Sequence, residues 1–324
     1  MPQNPASPNQ ALPQPAKPFT GVLLLAHGGP DSLDDIEPFL ANIRGGKPFP
    51  PKLLEEIKRR YRLIGSRSPL LELSRRQAAA LEKELNATGE RCRVYLGMRN
   101  WNPFIRETMG EIAKAGVGRL IAMCLAPQNS RMSVGLYFKR VREAQEELGI
   151  KTPTTFVESW HREPLLLDAF AEKLREALAA FPSVETEDGP PLVIFTAHSL
   201  PEKILAEGDP YDRETKETAA AVAEQSGLTN WLFAYQSQGA TADPWLGPTV
   251  ESALERLAAE GRKRVLIAPI GFVSDHVEIL YDIDIGFRQF AEERGIDLRR
   301  IESLNDSPAF IRALASVVQK HWKE

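Results

Sequence analysis

Short apolar runs recur along the chain with helical patterns between them. The clearest are GVLLLAH (21–27), RVYLG (93–97), RLIAMCLAP (119–127), PLVIFTAH (191–198), NWLFAYQ (230–236) and RVLIAPIGF (264–272). Most are continuously apolar rather than alternating, the pattern of strands covered on both faces in a parallel sheet. The intervening helices carry their own punctuation. Asn102-Pro103 predicts one helix start, a polar cap followed by Pro, and Gly116 its end. Thr249 to Ala259 predicts another, closed by Gly261, and Ser307-Pro308 opens a last one. Strands alternating with helices predict Rossmann-like layers.

The pattern is also doubled. LLLAHGGP (23–30) resembles IFTAHSLP (194–201), and RLIAMCLAPQNS (119–130) resembles RVLIAPIGFVSD (264–275). The partners occur in the same order in both halves. The expected fold is therefore α/β, two tandem Rossmann-like domains, each a parallel sheet flanked by helices. Their expected limits are 20–152 and 153–305, with a C-terminal helix at 306–324 packing back on the first. Ligands of open α/β sheets sit at the carboxyl ends of strands. Both Ala-His pairs and the Ser274-Asp275-His276 segment fall at such ends.

Composition narrows the function. The 324 residues carry a formal charge of −4, which argues against a nucleic-acid partner. Hydrophobic content of 43% and charged content of 26% are those of a globular protein, and no apolar run approaches a membrane span. Residues 1–19, rich in Pro, Gln and Asn, read as a disordered tail without a signal peptide's apolar middle. A cytoplasmic setting is the expectation. Cys92 and Cys124 are too few for an iron–sulfur cluster and read as small buried hydrophobes.

Candidate chemistry gathers in three places. His198 ends a strand before Ser199-Leu200-Pro201, where an imidazole can point into a cleft as proton acceptor or Fe²⁺ ligand. In SDHVEILYDID (274–284), a helix would put Asp275, Glu278 and Asp282 on one face. Such a row repels itself, so it suits a cation or proton path. Basic residues crowd positions 44–67, among them Arg44, Arg60 and Arg67, and arginine grips carboxylates in bidentate fashion. Trp101, Tyr137, Trp160, Trp245 and Phe272 lie near turns and could wall a flat ring.

These segments together resemble the ferrochelatases, from about residue 20 to the end. TAHSLPEKI…GDPY (196–211) is similar to the family's catalytic His segment, QSQGATADPWLGP (236–248) to its second active-site loop, and PIGFVSDHVEILYDID (269–284) to its acidic segment. YRLIGSRSPL (61–70) and NIRGGKP (42–48) resemble its porphyrin-contact region. The resemblance implies two Rossmann-like domains around a porphyrin cleft. It implies iron contact by His198 and Glu278, and a polar ladder of Asp275, His276 and Asp282. Ferrous iron would be a substrate, with no cofactor required.

LAPQNSRMSVGLYFKR (125–140) and VESW (157–160) look like the branch acting on coproporphyrin III rather than protoporphyrin IX. Its porphyrin contacts map to Arg44, Arg60, Tyr61, Ser68 and Tyr137. His27 stands where that branch often carries an axial Tyr, and Gly286 where some members carry another carboxylate, so the ladder would end at Asp282. The rival expectations are a tetrapyrrole carrier without chemistry and a chelatase for another metal or tetrapyrrole. Peripheral membrane contact through an amphipathic lip stays open.

Overall fold

The computed structural model describes residues 19–322 apart from 88, 90, 182–188 and 240–242. Nearly all of the expected tail lies outside these residues, but Phe19 already opens the first strand. In the first half, β1 (Phe19–Ala26) leads through α1 (Ile36–Ile43), α2 (Pro51–Leu63) and α3 (Leu70–Asn86) to β2 (Cys92–Met98). Then follow α4 (Ile105–Lys114), β3 (Val117–Cys124), α5 (Val134–Glu147) and β4 (Thr154–Val157). In the second, α6 (Pro164–Ala179) leads to β5 (Leu192–His198), α7 (Lys203–Ala206), α8 (Tyr211–Gln225), β6 (Trp231–Gln236) and α9 (Val250–Ala259). The chain ends with β7 (Arg264–Ala268), α10 (Val277–Leu280), α11 (Arg288–Glu292), β8 (Asp297–Arg300) and α12 (Pro308–Lys320).

Each half contains one four-stranded parallel sheet, ordered β2-β1-β3-β4 and β6-β5-β7-β8. The two orders are the same walk, so the doubling in sequence is a doubling in topology. β1 and β5 hold equivalent central places; β5 ends in Ala197-His198, and β1 ends in Ala26 with His27 the next residue. The first sheet takes its fourth strand from residues past 152, with Leu120 opposite Thr154 and Met123 opposite Val157. That strand, TTFV, is too short and too polar to stand out as an apolar run.

Two starts follow the expected chemistry. Thr249 caps α9, its Oγ1 accepting from Ser252 N at 3.1 Å, and Ser307 caps α12 by accepting from Phe310 N at 3.4 Å. The helix expected to open at Asn102-Pro103 begins instead at Ile105. There the Glu107 carboxylate reaches back to accept from Phe104 N at 3.2 Å, so a side chain inside the helix does the capping.

One apolar cluster joins the halves. Val22 and Leu24 of β1, Leu81 and Leu85 of α3, Phe170 of α6, Phe310 and Leu314 of α12, and Val193 and Phe195 of β5 all belong to it. α12 packs against both α3 and α6. Trp160, a candidate ring wall in the sequence, lies in this cluster: its Nε1 donates to Cys124 O at 3.0 Å and its ring packs on Phe310. Both cysteines are buried free thiols. Among the described residues no helix is long and apolar enough to cross a membrane.

Candidate active site

His198 is the last residue of a strand whose preceding residues are all buried. The turn after β7 presses against that strand end. A Cβ at Gly271 would lie 2.7 Å from Ala197 Cβ, so only glycine permits the approach. The His198 carbonyl accepts from Tyr211 Oη at 2.9 Å, and Ser199 N donates to Gln236 O at 2.7 Å. The ring is set by its own neighbour: Nδ1 bonds the Ser199 carbonyl, which makes Nδ1 the protonated nitrogen and leaves the Nε2 lone pair outward. Nε2 lies 3.7 Å from Glu278 Oε1. Both side chains keep some solvent contact, 28% and 32% exposed. They face each other, and both come from the second half.

The acidic segment is not one continuous helix. His276 is extended (φ −161°), α10 spans only Val277–Leu280, and Asp282–Phe287 forms a π-helical turn. The extended residue takes Asp275 off the face expected for it. The Asp275 carboxylate is occupied elsewhere, accepting from Ser303 Oγ at 2.7 Å and Asn305 Nδ2 at 2.9 Å. The expected three-rung acidic row is thus reduced to Glu278 and Asp282, with His276 beside them.

These groups tune one another. Burial works against ionisation of Glu278, but the facing His198 and the hydrogen bond from His276 hold its carboxyl down at about 2. His276 Nε2 lies 3.5 Å from Glu278 Oε2, and its Nδ1 donates to Ser274 O at 2.9 Å. Burial disfavours the His276 cation, yet Glu278 raises its pKa above the ordinary value. Asp282 goes the other way: burial, then the charge of Glu278, outweigh a hydrogen bond from Ser237 Oγ and lift it to about 6. Beside it opens a cavity of about 420 Å³ lined by Arg60, Gln236, Ser237, Tyr281, Asp282 and Gly286 among others.

The first half supplies the opposite wall. His27 is bonded as His198 is, Nδ1 to the next carbonyl, here Gly28 O at 3.1 Å. Gly28 must be glycine: its φ is +88° and a Cβ would meet Trp101 N at 2.9 Å. Unlike His198, His27 also has its Nε2 engaged, accepting from Asn100 Nδ2 at 3.0 Å. Arg99 Nε donates to Asn100 Oδ1, which fixes the amide's orientation. The His27 ring is open to the cleft on one side but crowded on the others; burial, then Arg99, lower its pKa to about 4.

The remaining sequence candidates divide. Arg60 reaches across the halves, Nη1 lying 3.7 Å from Asp282 Oδ1 and the guanidinium 5.1 Å over the Tyr281 ring. Tyr61 and Tyr137 are almost wholly buried, in the α1–α2 cluster and the first-half core respectively, and Arg99 lies over the Tyr137 ring. Arg44 is turned outward, donating to Pro48 O at 3.0 Å. Ser68 is packed on the Gly29 backbone, and its N donates to Pro30 O at 2.8 Å.

Sequence reasoning gave no separate role to Asn100, Arg99, Ser237 or Tyr281, whose Oη accepts from Arg59 Nη2 at 2.8 Å. Only Ser237 had a local signal, as a polar residue at a strand end; its φ of +58° confirms a special backbone position. Chemically, the site offers an imidazole with a free lone pair, an ionised carboxylate beside it, and a second carboxylate poised to take a proton near neutral pH.

Comparison with known proteins points the same way. A family model described as Ferrochelatase matches residues 19–322. The chain is 43% identical over 300 residues to a ferrochelatase of Herpetosiphon aurantiacus, covering 92% of this chain and 98% of that protein. It is 40% identical over 311 residues to a coproporphyrin III ferrochelatase of Geobacillus kaustophilus, covering 95% and 98%. Among solved structures, SirB from Bacillus subtilis with Fe³⁺ shares the fold at 10% identity, with a TM-score of 0.59 over 93% of this chain and 95% of that one. The chain belongs to the ferrochelatase family, the lyases that put ferrous iron into a porphyrin in heme biosynthesis.

Proposed function

We propose that this ferrochelatase works on coproporphyrin III in preference to protoporphyrin IX, with His198 as the base and Glu278 as the carboxylate that holds the iron. The observation that carries the reading is the 3.7 Å approach of His198 Nε2 to Glu278 Oε1 in a partly open recess. Insertion requires two pyrrole protons to leave. His198 takes them one at a time on Nε2, since Nδ1 keeps its proton on the Ser199 carbonyl, and releases the first to solvent through the recess before it accepts the second. Glu278, ionised throughout the neutral range, stabilises the imidazolium that results. It also exchanges with water on the incoming Fe²⁺. Asp282, with its pKa near 6, passes protons on, and His276 keeps Glu278 anionic.

The preference for coproporphyrin III rests on charge and on relatives. Coproporphyrin III carries four propionates and protoporphyrin IX two, and the segment from Arg44 to Arg62 is rich in Lys and Arg, with Arg59 and Arg60 reaching Tyr281 across the halves. Arg60 takes a propionate and Arg44 another on leaving Pro48 O, Tyr61, Ser68 and Tyr137 back the wall against which the ring lies, and His27 approaches its face. Relatives named as coproporphyrin III ferrochelatases match at 38–40% identity. The test is the initial rate of insertion under anaerobic conditions with each porphyrin, for wild type and for His198→Ala. Coproporphyrin III should be the faster substrate. His198→Ala should lose about 10²–10⁴-fold in turnover with unchanged porphyrin binding. A faster rate with protoporphyrin IX overturns the substrate assignment, and unchanged turnover in His198→Ala removes it from the chemistry.

A further inference from the structure

The turn that carries Glu278 is held from behind by one cation. Arg300 is the last residue of β8, and its side chain is 14% exposed. Nε and Nη2 donate to the two oxygens of Asp284 at 2.7 and 2.9 Å, a two-pronged grip. Nη2 also lies 3.4 Å from Asp275 Oδ1. Asp275 precedes Glu278 in the chain and Asp284 follows it, so a single guanidinium ties both flanks of the turn to the end of β8.

The tie has a consequence for charge. Residues 275–284 contain Asp275, Glu278, Asp282 and Asp284, which repel one another. Arg300 sorts them. The two outer carboxylates turn back to the guanidinium, with Ser303 and Asn305 completing the shell of Asp275. The two inner ones, Glu278 and Asp282, turn towards His198 and the cavity. Gln77 of α3 steadies the same segment from the first half, Nε2 donating to Ser274 Oγ and to Asn305 O, both at 2.7 Å.

We infer that Arg300 is a positioning residue for iron delivery: by binding Asp275 and Asp284 it turns the intervening Glu278 carboxylate towards His198. The inference rests on the reading of Glu278 as the carboxylate that holds the iron. Lysine would not serve equally, since a point charge cannot grip both oxygens of Asp284 and reach Asp275 as well.

The experiment compares Arg300→Gln, Arg300→Lys, Asp284→Asn, Glu278→Gln and the double variant Arg300→Gln/Glu278→Gln. Anaerobic kinetics at saturating porphyrin give kcat and the KM for Fe²⁺, and fluorescence titration without metal gives porphyrin Kd. Arg300→Gln should lower kcat/KM for iron by about 10–100-fold, the usual effect of losing a group that orients a metal ligand. Arg300→Lys and Asp284→Asn, which keep more of the packing, should fall in between. Porphyrin Kd should stay put, and the double variant should be no worse than Glu278→Gln alone. Two results overturn the inference beside an impaired Glu278→Gln: wild-type iron kinetics in Arg300→Gln and Asp284→Asn, or losses in them that match a loss of porphyrin affinity. Wild-type turnover in Glu278→Gln overturns instead the iron role of Glu278 itself.

Discussion

Asp282 is held in its site at a cost that a single substitution should reveal. Its side chain is only 15% exposed, and burial together with Glu278 lifts its pKa from 3.8 to about 6. The folded protein therefore binds the Asp282 proton more tightly than the unfolded chain does. Stability from that proton is fully present below pH 4 and is lost as pH rises through 6. Two units at 1.36 kcal/mol each put the loss at about 3 kcal/mol near pH 7.5, a ceiling for so polar a setting. Asparagine copies the protonated form in shape and charge. Asp282→Asn should thus melt several degrees above wild type at pH 7.5, with about half the free-energy gain at pH 5 and little at pH 4. Iron insertion by the same variant should slow, because the amide can neither take nor release a proton. Thermal unfolding across that pH range, with anaerobic rates at pH 7.5, checks both halves. A variant no more stable than wild type at pH 7.5, or a gain that persists undiminished at pH 4, would refute the argument.

Two other outcomes follow from the structure. A mixed nitrogen and oxygen donor pair cannot exclude Zn²⁺ by affinity, since zinc lies above iron in the usual order of divalent binding; zinc insertion should be readily measured by the product's fluorescence. Phe310, fully buried where α12 meets Trp160 and α6, joins the halves, so Phe310→Ala should cost about 3–5 kcal/mol in a denaturant titration.

The legible parts of this fold are those whose signal is local. Continuous apolar runs announced β1, β3, β5 and β7 because strands covered on both faces have no polar positions to interrupt them. Thr249 and Ser307 announced helix starts because a cap is a bond within one turn. The start of α4 was misread because the capping group, Glu107, sits inside the helix. At the site, Ala-His at two strand ends marked His27 and His198. The row from Asp275 to Asp282 was drawn at a helical period, but an extended residue at 276 and a π-helical turn after 281 break that period. Arg300 carried no signal at all: as one of two adjacent arginines ending a short strand, its meaning lies in residues sixteen and twenty-five positions back.

Three histidines lie around one carboxylate, and only their hydrogen bonds assign them different work. His27 has both nitrogens engaged, Nδ1 with Gly28 O and Nε2 with Asn100 Nδ2, and it is held neutral. It can meet a metal only by giving up Asn100. His276 points its Nε2 at Glu278 Oε2 and is biased towards the cation, so it donates and does not accept. His198 alone combines a proton pinned on Nδ1 with an Nε2 that faces Glu278 across 3.7 Å, beyond hydrogen-bond range, and so keeps its lone pair. Glu278 thus has one oxygen turned to His276 and the other to a free base. When His198 accepts a pyrrole proton, the new positive charge arises beside a carboxylate that stays ionised down to about pH 2. The proton therefore goes to the one imidazole of the three whose Nε2 lone pair is free.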